Sequence, residues 1–130
     1  MQRHREEDVE LVRKLRESIM SEYGGLKNEV DMGDISIVTA LVDEDIEKLV
    51  LLALKKAERP LSWRELKAVF AGIVGEDRLR RILGSLKARN MVAELTHTRY
   101  SLPEYVPLSE IGRIKNPGII NKVLQLSRRR

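Results

Sequence analysis

The sequence predicts a mainly helical α+β fold: a three-helix core closed by a two-stranded ribbon, with one further helix on each flank. Three observations predict it. Apolar residues recur at three- and four-residue spacing through most of the chain. Helix-start signals stand at Ser62 and at Asn116-Pro117. Between residues 91 and 102 the helical period gives way to alternation around Thr96-His97-Thr98, a tight connection between two strands.

The first helix is expected over 6–22. Val9, Val12, Leu15 and Ile19 form one apolar stripe, and Glu6, Glu7 and Asp8 suit the positive end of the helix dipole. Tyr23-Gly24-Gly25 predicts its end, because glycine adopts the left-handed cap conformation. Residues 26–34 read as a loop. The stretch ISIVTALV over 35–42 is ambiguous: its β-branched cluster favours a strand, while Asp34 would cap a helix.

Asp43-Glu44-Asp45 opens the next helix, whose buried face is Ile46, Leu49, Val50, Ala53, Leu54 and Ala57. Leu51 and Leu52 widen that face, so the helix should pack on two sides. Lys55 and Lys56 fit its last turn, and Pro60 forbids continuation. Ser62 with Glu65 is a capping box for a helix over 63–71 that buries Leu66, Val69 and Phe70. Gly72 and Gly75 bracket a turn. The helix over 76–90 buries Leu79, Ile82, Leu83 and Leu86, with Asn90 as a left-handed cap.

The strands are expected over 91–95 and 99–102, ended by Pro103. Residues 104–116 read as irregular, with a helical turn near 109–113. Asn116 then serves as N-cap and Pro117 as first residue of an apolar helix carrying Ile119, Ile120, Val123, Leu124 and Leu126. Arg128-Arg129-Arg130 closes the chain as a phosphate clamp or a frayed tail. The organisation expected is an N-terminal helix and linker (1–42), a central domain (43–107), and a C-terminal apolar helix with a basic tail (108–130).

Composition narrows the function classes. Hydrophobic residues make up 42% of the chain and charged residues 34%, which fits a folded domain. Only five residues are aromatic, so the core must be mostly Leu, Ile and Val. The lack of cysteine excludes disulfides, thiolate metal sites and cysteine nucleophiles. His4 and His97 have no ligand spacing around them, so neither metal nor cofactor is expected. No 18-residue apolar run exists, the N-terminus is too charged for a secretory signal, and a cytoplasmic protein with no membrane association is expected. Scarce Asn and Gln beside abundant Lys, Arg and Glu are a bias of hyperthermophilic proteins.

Charge is unevenly distributed. Residues 1–57 hold 9 basic and 13 acidic side chains, whereas residues 58–130 hold 15 basic and 7 acidic. The basic second half fits a phosphate-binding surface or, more plainly, a solvated basic face.

Three helices followed by a two-stranded ribbon, carried by LSWRELKAVF, RLRRILGSLKARNMVAEL and TRYSL, resemble the winged helix-turn-helix superfamily of prokaryotic and archaeal transcription regulators. The resemblance covers roughly residues 43–103. It implies a winged helix in which 76–90 is the recognition helix and 91–102 the wing. One departure is AVFAGIVGEDR, a longer connection between the second and third helices than DNA readers commonly have. Several winged helices in transcription and replication assemblies bind protein instead, so the departure keeps a protein partner open as the alternative.

At 100° per residue the third helix sorts its side chains. Arg78, Arg81, Ser85 and Arg89 share one flank, Arg80 and Lys87 the other, and Gly84 and Ala88 leave a small outward face between them. Glycine in a solvent-exposed helix costs about 1 kcal/mol relative to alanine, a cost that close approach to another surface would justify. In a major groove the flanking cations would reach phosphates, and Arg81 or Ser85 base edges. The competing expectation is that Gly84 and Ala88 pack against another helix. In the wing, His97 and Arg99 are candidate contacts with phosphate or minor groove.

Duplex DNA is therefore the favoured partner, in transcription regulation. A protein partner in a transcription or replication assembly is the alternative, and RNA or ribosome association a third. Catalysis is not expected, because no convergent acid, base or nucleophile set is visible and Asp43-Glu44-Asp45 is explained by capping. No small-molecule ligand is evident. A homodimer is expected through Val9, Val12, Leu15, Ile19, Ile119, Ile120, Val123 and Leu124, whose stripes exceed what one small domain readily covers.

Overall fold

The structure is a computed structural model that describes residues 2–31 and 41–127, with side chains over 9–25 and 41–127. The fold is mostly helical with one small antiparallel sheet. The ambiguous stretch 35–42 lies outside the described residues except for Leu41 and Val42, and so does the Arg128–Arg130 tail.

Helix α1 spans Gln2–Asp31 and is 30 residues long, about 45 Å at 1.5 Å per residue. It runs through Gly24 and Gly25, where an end was expected, and takes in most of the expected loop. Glycine weakens a helix without forbidding it, unlike proline, and neither glycine here is crowded by a neighbour. Leu15 and Ile19 are buried in the main core, and α1 packs on α2 and α3. Arg16 fastens it: Nη1 donates to the carbonyls of Ala68 (3.3 Å), Val69 (3.1 Å) and Ala71 (2.7 Å) at the end of α3. Those carbonyls are the acceptors that a helix C-terminus leaves without partners.

Helix α2 (Asp43–Ala57) buries the six residues its periodicity named and ends with Glu58 in the left-handed region. Strand β1 (Leu61–Ser62) follows and leads directly into α3 (Trp63–Phe70). The capping box is made: Glu65 N–H donates to Ser62 Oγ at 3.1 Å, and Ser62 N–H donates to Glu65 Oε1 at 2.9 Å. Gly72, at φ 82°, turns the chain toward α4 (Glu76–Ala88), which buries Leu79, Ile82, Leu83 and Leu86. Asn90 is left-handed at φ 57°. The Met91 N–H donates to Leu86 O and the Asn90 N–H to Lys87 O, both at 2.9 Å, which is a Schellman ending.

Strands β2 (Ala93–Leu95) and β3 (Arg99–Ser101) form the hairpin, with His97 and Thr98 both at positive φ in its turn. The sheet has three strands in the order β1-β3-β2, not two; β3 is central, pairing Tyr100 with both Leu61 and Glu94. The extra strand is two residues long, too short for alternation to register.

The chain then covers the free edge of β2. Ile114 bridges Leu95, Thr96 N–H donates to Arg113 O, and Lys115 N–H donates to Glu94 O at 2.7 Å. Short 3-10 turns at Pro103–Tyr105, Leu108–Arg113 and Pro117–Ile119 lead to α5 (Ile120–Ser127). A second small core gathers Ala93, Leu95, Val106, Ile119 and Val123. Asn116 stands at the N-cap position with Pro117 as the first helical residue, as expected, but its side chain makes no capping bond. Its side chain instead accepts from Glu94 N–H (3.0 Å) and donates to Val92 O (2.9 Å) and Lys87 O (3.3 Å), so it joins the end of α4 to β2.

These two cores correct the expected dimerisation surface. Leu15, Ile19, Ile119 and Val123 are buried within the protein itself, and Val12 and Ile120 are half-buried. Only Val9 and Leu124 of the eight remain exposed. Val9 and Val12 line an open groove of about 850 Å³ between α1 and the segment from Arg59 to Ala68. Among the described residues no helix is long and apolar enough to cross a membrane.

Candidate nucleic-acid interface

The outer face of α4 is bare. Gly84, Ser85 and Ala88 are exposed, and a Cβ added to Gly84 would meet nothing within 4 Å. Packing of Gly84 and Ala88 against another helix of the described chain, the competing expectation, does not occur. The strip is open to an incoming surface.

Its two flanks differ. On the flank toward α2, Arg78 Nε donates to Asp43 Oδ1 at 2.9 Å and its Nη2 to Leu41 O at 2.6 Å. Arg81 Nη2 reaches Asp43 Oδ2 at 3.2 Å while its side chain stays 65% exposed. Arg89 pairs with Glu47 at 2.7 Å and bonds Ser85 O through Nε. The Arg78 hydrogen bond, with the charges of Arg81 and Arg78, holds the Asp43 carboxyl below the usual carboxylate range. Two acids of α2 thus neutralise part of this flank.

On the flank toward the hairpin, Lys87 Nζ pairs with Glu94 Oε1 at 2.7 Å, and Lys115 approaches the other oxygen at 3.7 Å. Glu94 is buried at 8% exposure, although strand alternation alone would leave its face open; the 113–115 segment and Lys87 cover it. Arg80 does something different: its guanidinium lies over the Trp63 ring, 4.8 Å from the centroid.

The hairpin candidates part company. His97 is exposed at the turn. Arg99 is drawn back, with Nη2 on Glu110 at 2.7 Å and Nε on Thr96 O at 3.0 Å. The Arg99 hydrogen bond outweighs burial and lowers the Glu110 carboxyl, with Arg113 adding to the effect.

The structure therefore brings Arg78, Arg80, Arg81, Ser85, Lys87 and Arg89 around one strip and leaves His97 and Arg99 on a separate hairpin. Helical periodicity identified the cations but not their anions. Asp43 and Glu47 lie 30 or more residues away in sequence, and no local signal pairs them with α4. Comparison with family models, with curated proteins and with solved structures finds no match.

Proposed function

We propose that this chain is a winged-helix protein that binds duplex DNA through α4, in transcription regulation. The element order α2-β1-α3-α4-β2-β3, with sheet order β1-β3-β2, supports the winged-helix assignment. The observation that carries the binding assignment is the open strip Gly84–Ser85–Ala88 between two cationic flanks. A small-faced helix approaches a groove floor closely, and the bordering cations then meet the phosphate rails. Base-reading groups on the strip are few, Arg81 and Ser85, so backbone and shape recognition outweigh direct readout.

A second reading has its own support. Asp43 and Glu47 already occupy Arg78, Arg81 and Arg89. A surface with internally balanced charge suits a protein partner, as in an adaptor of a transcription or replication assembly.

A salt-dependent gel-shift titration on random-sequence duplex separates the two. Duplex binding predicts micromolar or tighter affinity at low salt, with log K falling by about 0.9 per phosphate engaged for each unit of log salt. Absence of binding at micromolar protein and low salt overturns the DNA reading in favour of the adaptor.

A further inference from the structure

Helix α4 carries Arg78, Arg80, Arg81 and Lys87, and Arg89 follows at its C-cap. Four of these five cations rest on carboxylates of the protein: Arg78 and Arg81 on Asp43, Arg89 on Glu47, Lys87 on Glu94. Arg80 is exposed and, among the described residues, has neither an ion pair nor a hydrogen bond; it lies over the Trp63 ring, and its charge also reaches Tyr100.

That ring is itself fixed. Trp63 is the first residue of the capped helix α3 and packs against the main core. Its backbone N–H donates to Thr98 O in the hairpin turn at 2.9 Å. Trp63 therefore touches α4 through its ring and the hairpin turn through its backbone. Lys67 Nζ, 5.9 Å from the same ring, adds a second positive charge and is paired with Glu76 at 3.3 Å.

We propose that Trp63 is a positioning residue that holds the Arg80 guanidinium ready for a phosphodiester oxygen on the hairpin flank of α4. The proposal rests on the duplex-binding reading and specifies where the backbone is gripped. A ring face orients a guanidinium without consuming its N–H donors, so all five stay available to phosphate. A carboxylate partner does the opposite, since phosphate must displace it. The flank toward α2 is partly neutralised, and the hairpin flank holds the one cation of α4 that needs no exchange of partners. A phosphate strand crossing the domain is thus gripped first on the hairpin side.

The chain has a single tryptophan, so its emission reports on the Arg80 contact alone. Tryptophan emission of the full chain is titrated with random duplex at several salt concentrations, alongside Arg80→Ala, Arg80→Lys, Trp63→Phe and Trp63→Leu followed by gel shift. Saturable change in wild-type emission is expected. Arg80→Ala should reduce the salt slope by about 0.9, the loss of one phosphate partner. Arg80→Lys should keep the slope but not the full affinity, because an ammonium cannot present a bidentate fork. Trp63→Leu should weaken binding about two- to fivefold with the slope retained, and should cost nothing further in the Arg80→Ala background. Should Trp63→Leu fail to fold, Trp63→Phe and the exposed Arg80 variants carry the same test. Wild-type affinity and slope in Arg80→Ala, in a protein that binds duplex, overturn the proposal while sparing the duplex reading. Absence of duplex binding by the wild type overturns both.

Discussion

Arg78 Nε donates to Asp43 Oδ1 at 2.9 Å, tying the first turn of α4 to the first turn of α2. Asp43 also holds Arg81. One carboxylate thus occupies two cations of α4. On the duplex-binding reading, Asp43→Asn should tighten binding severalfold and steepen the salt slope by up to about 0.9 for each further phosphate that the released arginines engage. Gel shifts of the variant and wild type across a salt series check this. Unchanged affinity and slope would place this flank away from phosphate.

The open strip makes stability and binding move in opposite directions. Gly84→Ala should stabilise the protein by up to about 1 kcal/mol, since the added methyl meets no neighbour and alanine is the better helix former. Ala88→Leu should leave the melting temperature nearly unchanged because position 88 is exposed. Both should weaken duplex binding, Ala88→Leu the more, if the strip sits against a groove. Thermal melts and gel shifts on the same two variants decide it; undiminished affinity in Ala88→Leu would exclude groove insertion.

Helix α1 should act as part of the fold rather than as an oligomerisation arm. Leu15 is 2% exposed, and Leu15→Ala should cost about 2–5 kcal/mol. Arg16→Ala strips one donor from three carbonyls at the end of α3 and should cost about 1–3 kcal/mol. Both losses should be independent of protein concentration in thermal melts over a hundredfold range. A loss that vanishes at high concentration would point to association through α1.

Glu65 gives a pH signature. Burial raises its pKa, but hydrogen bonds from Arg59 and from Ser62, with the Arg59 charge, outweigh that and leave it below the ordinary value. A depressed carboxylate contributes stability that is complete above the unfolded-state pKa of about 4.3 and is lost as pH falls through the lower folded-state value. Glu65→Gln should therefore lower the melting temperature at neutral pH, and the gap to wild type should close below about pH 4. A gap that persists unchanged at acid pH would assign the loss to packing rather than charge.

Local signals were legible where one residue decides the outcome. The Ser62–Glu65 capping box, the left-handed Asn90 and the buried faces of α2 and α4 follow from side-chain chemistry within four residues. What escaped depends on distant partners. Leu15 and Ile19 form a stripe whether they meet α3 or a second chain, and periodicity cannot choose. Gly24-Gly25 offers a stop that the helix does not take. Asn116 has the residue type and spacing of an N-cap, yet its amide meets three backbone groups in 87–94. At the candidate interface the cations were visible in sequence, whereas Asp43, Glu47 and the Trp63 ring reach them only through tertiary packing.

The Asn116 bridge and the 113–115 segment also have a mechanical consequence. A hairpin bonded to the end of α4 on one side and to the C-terminal segment on the other is stiff relative to its helix. On the duplex-binding reading, such a domain would offer a bound duplex a fixed spacing between helix and turn. Accommodation would then fall to the nucleic acid, whose bending energy depends on its sequence, with pyrimidine–purine steps yielding most easily. Selectivity of that kind would arise at base pairs the protein never touches, and loosening the hairpin with Asn116→Ala would blunt it without removing a single cation.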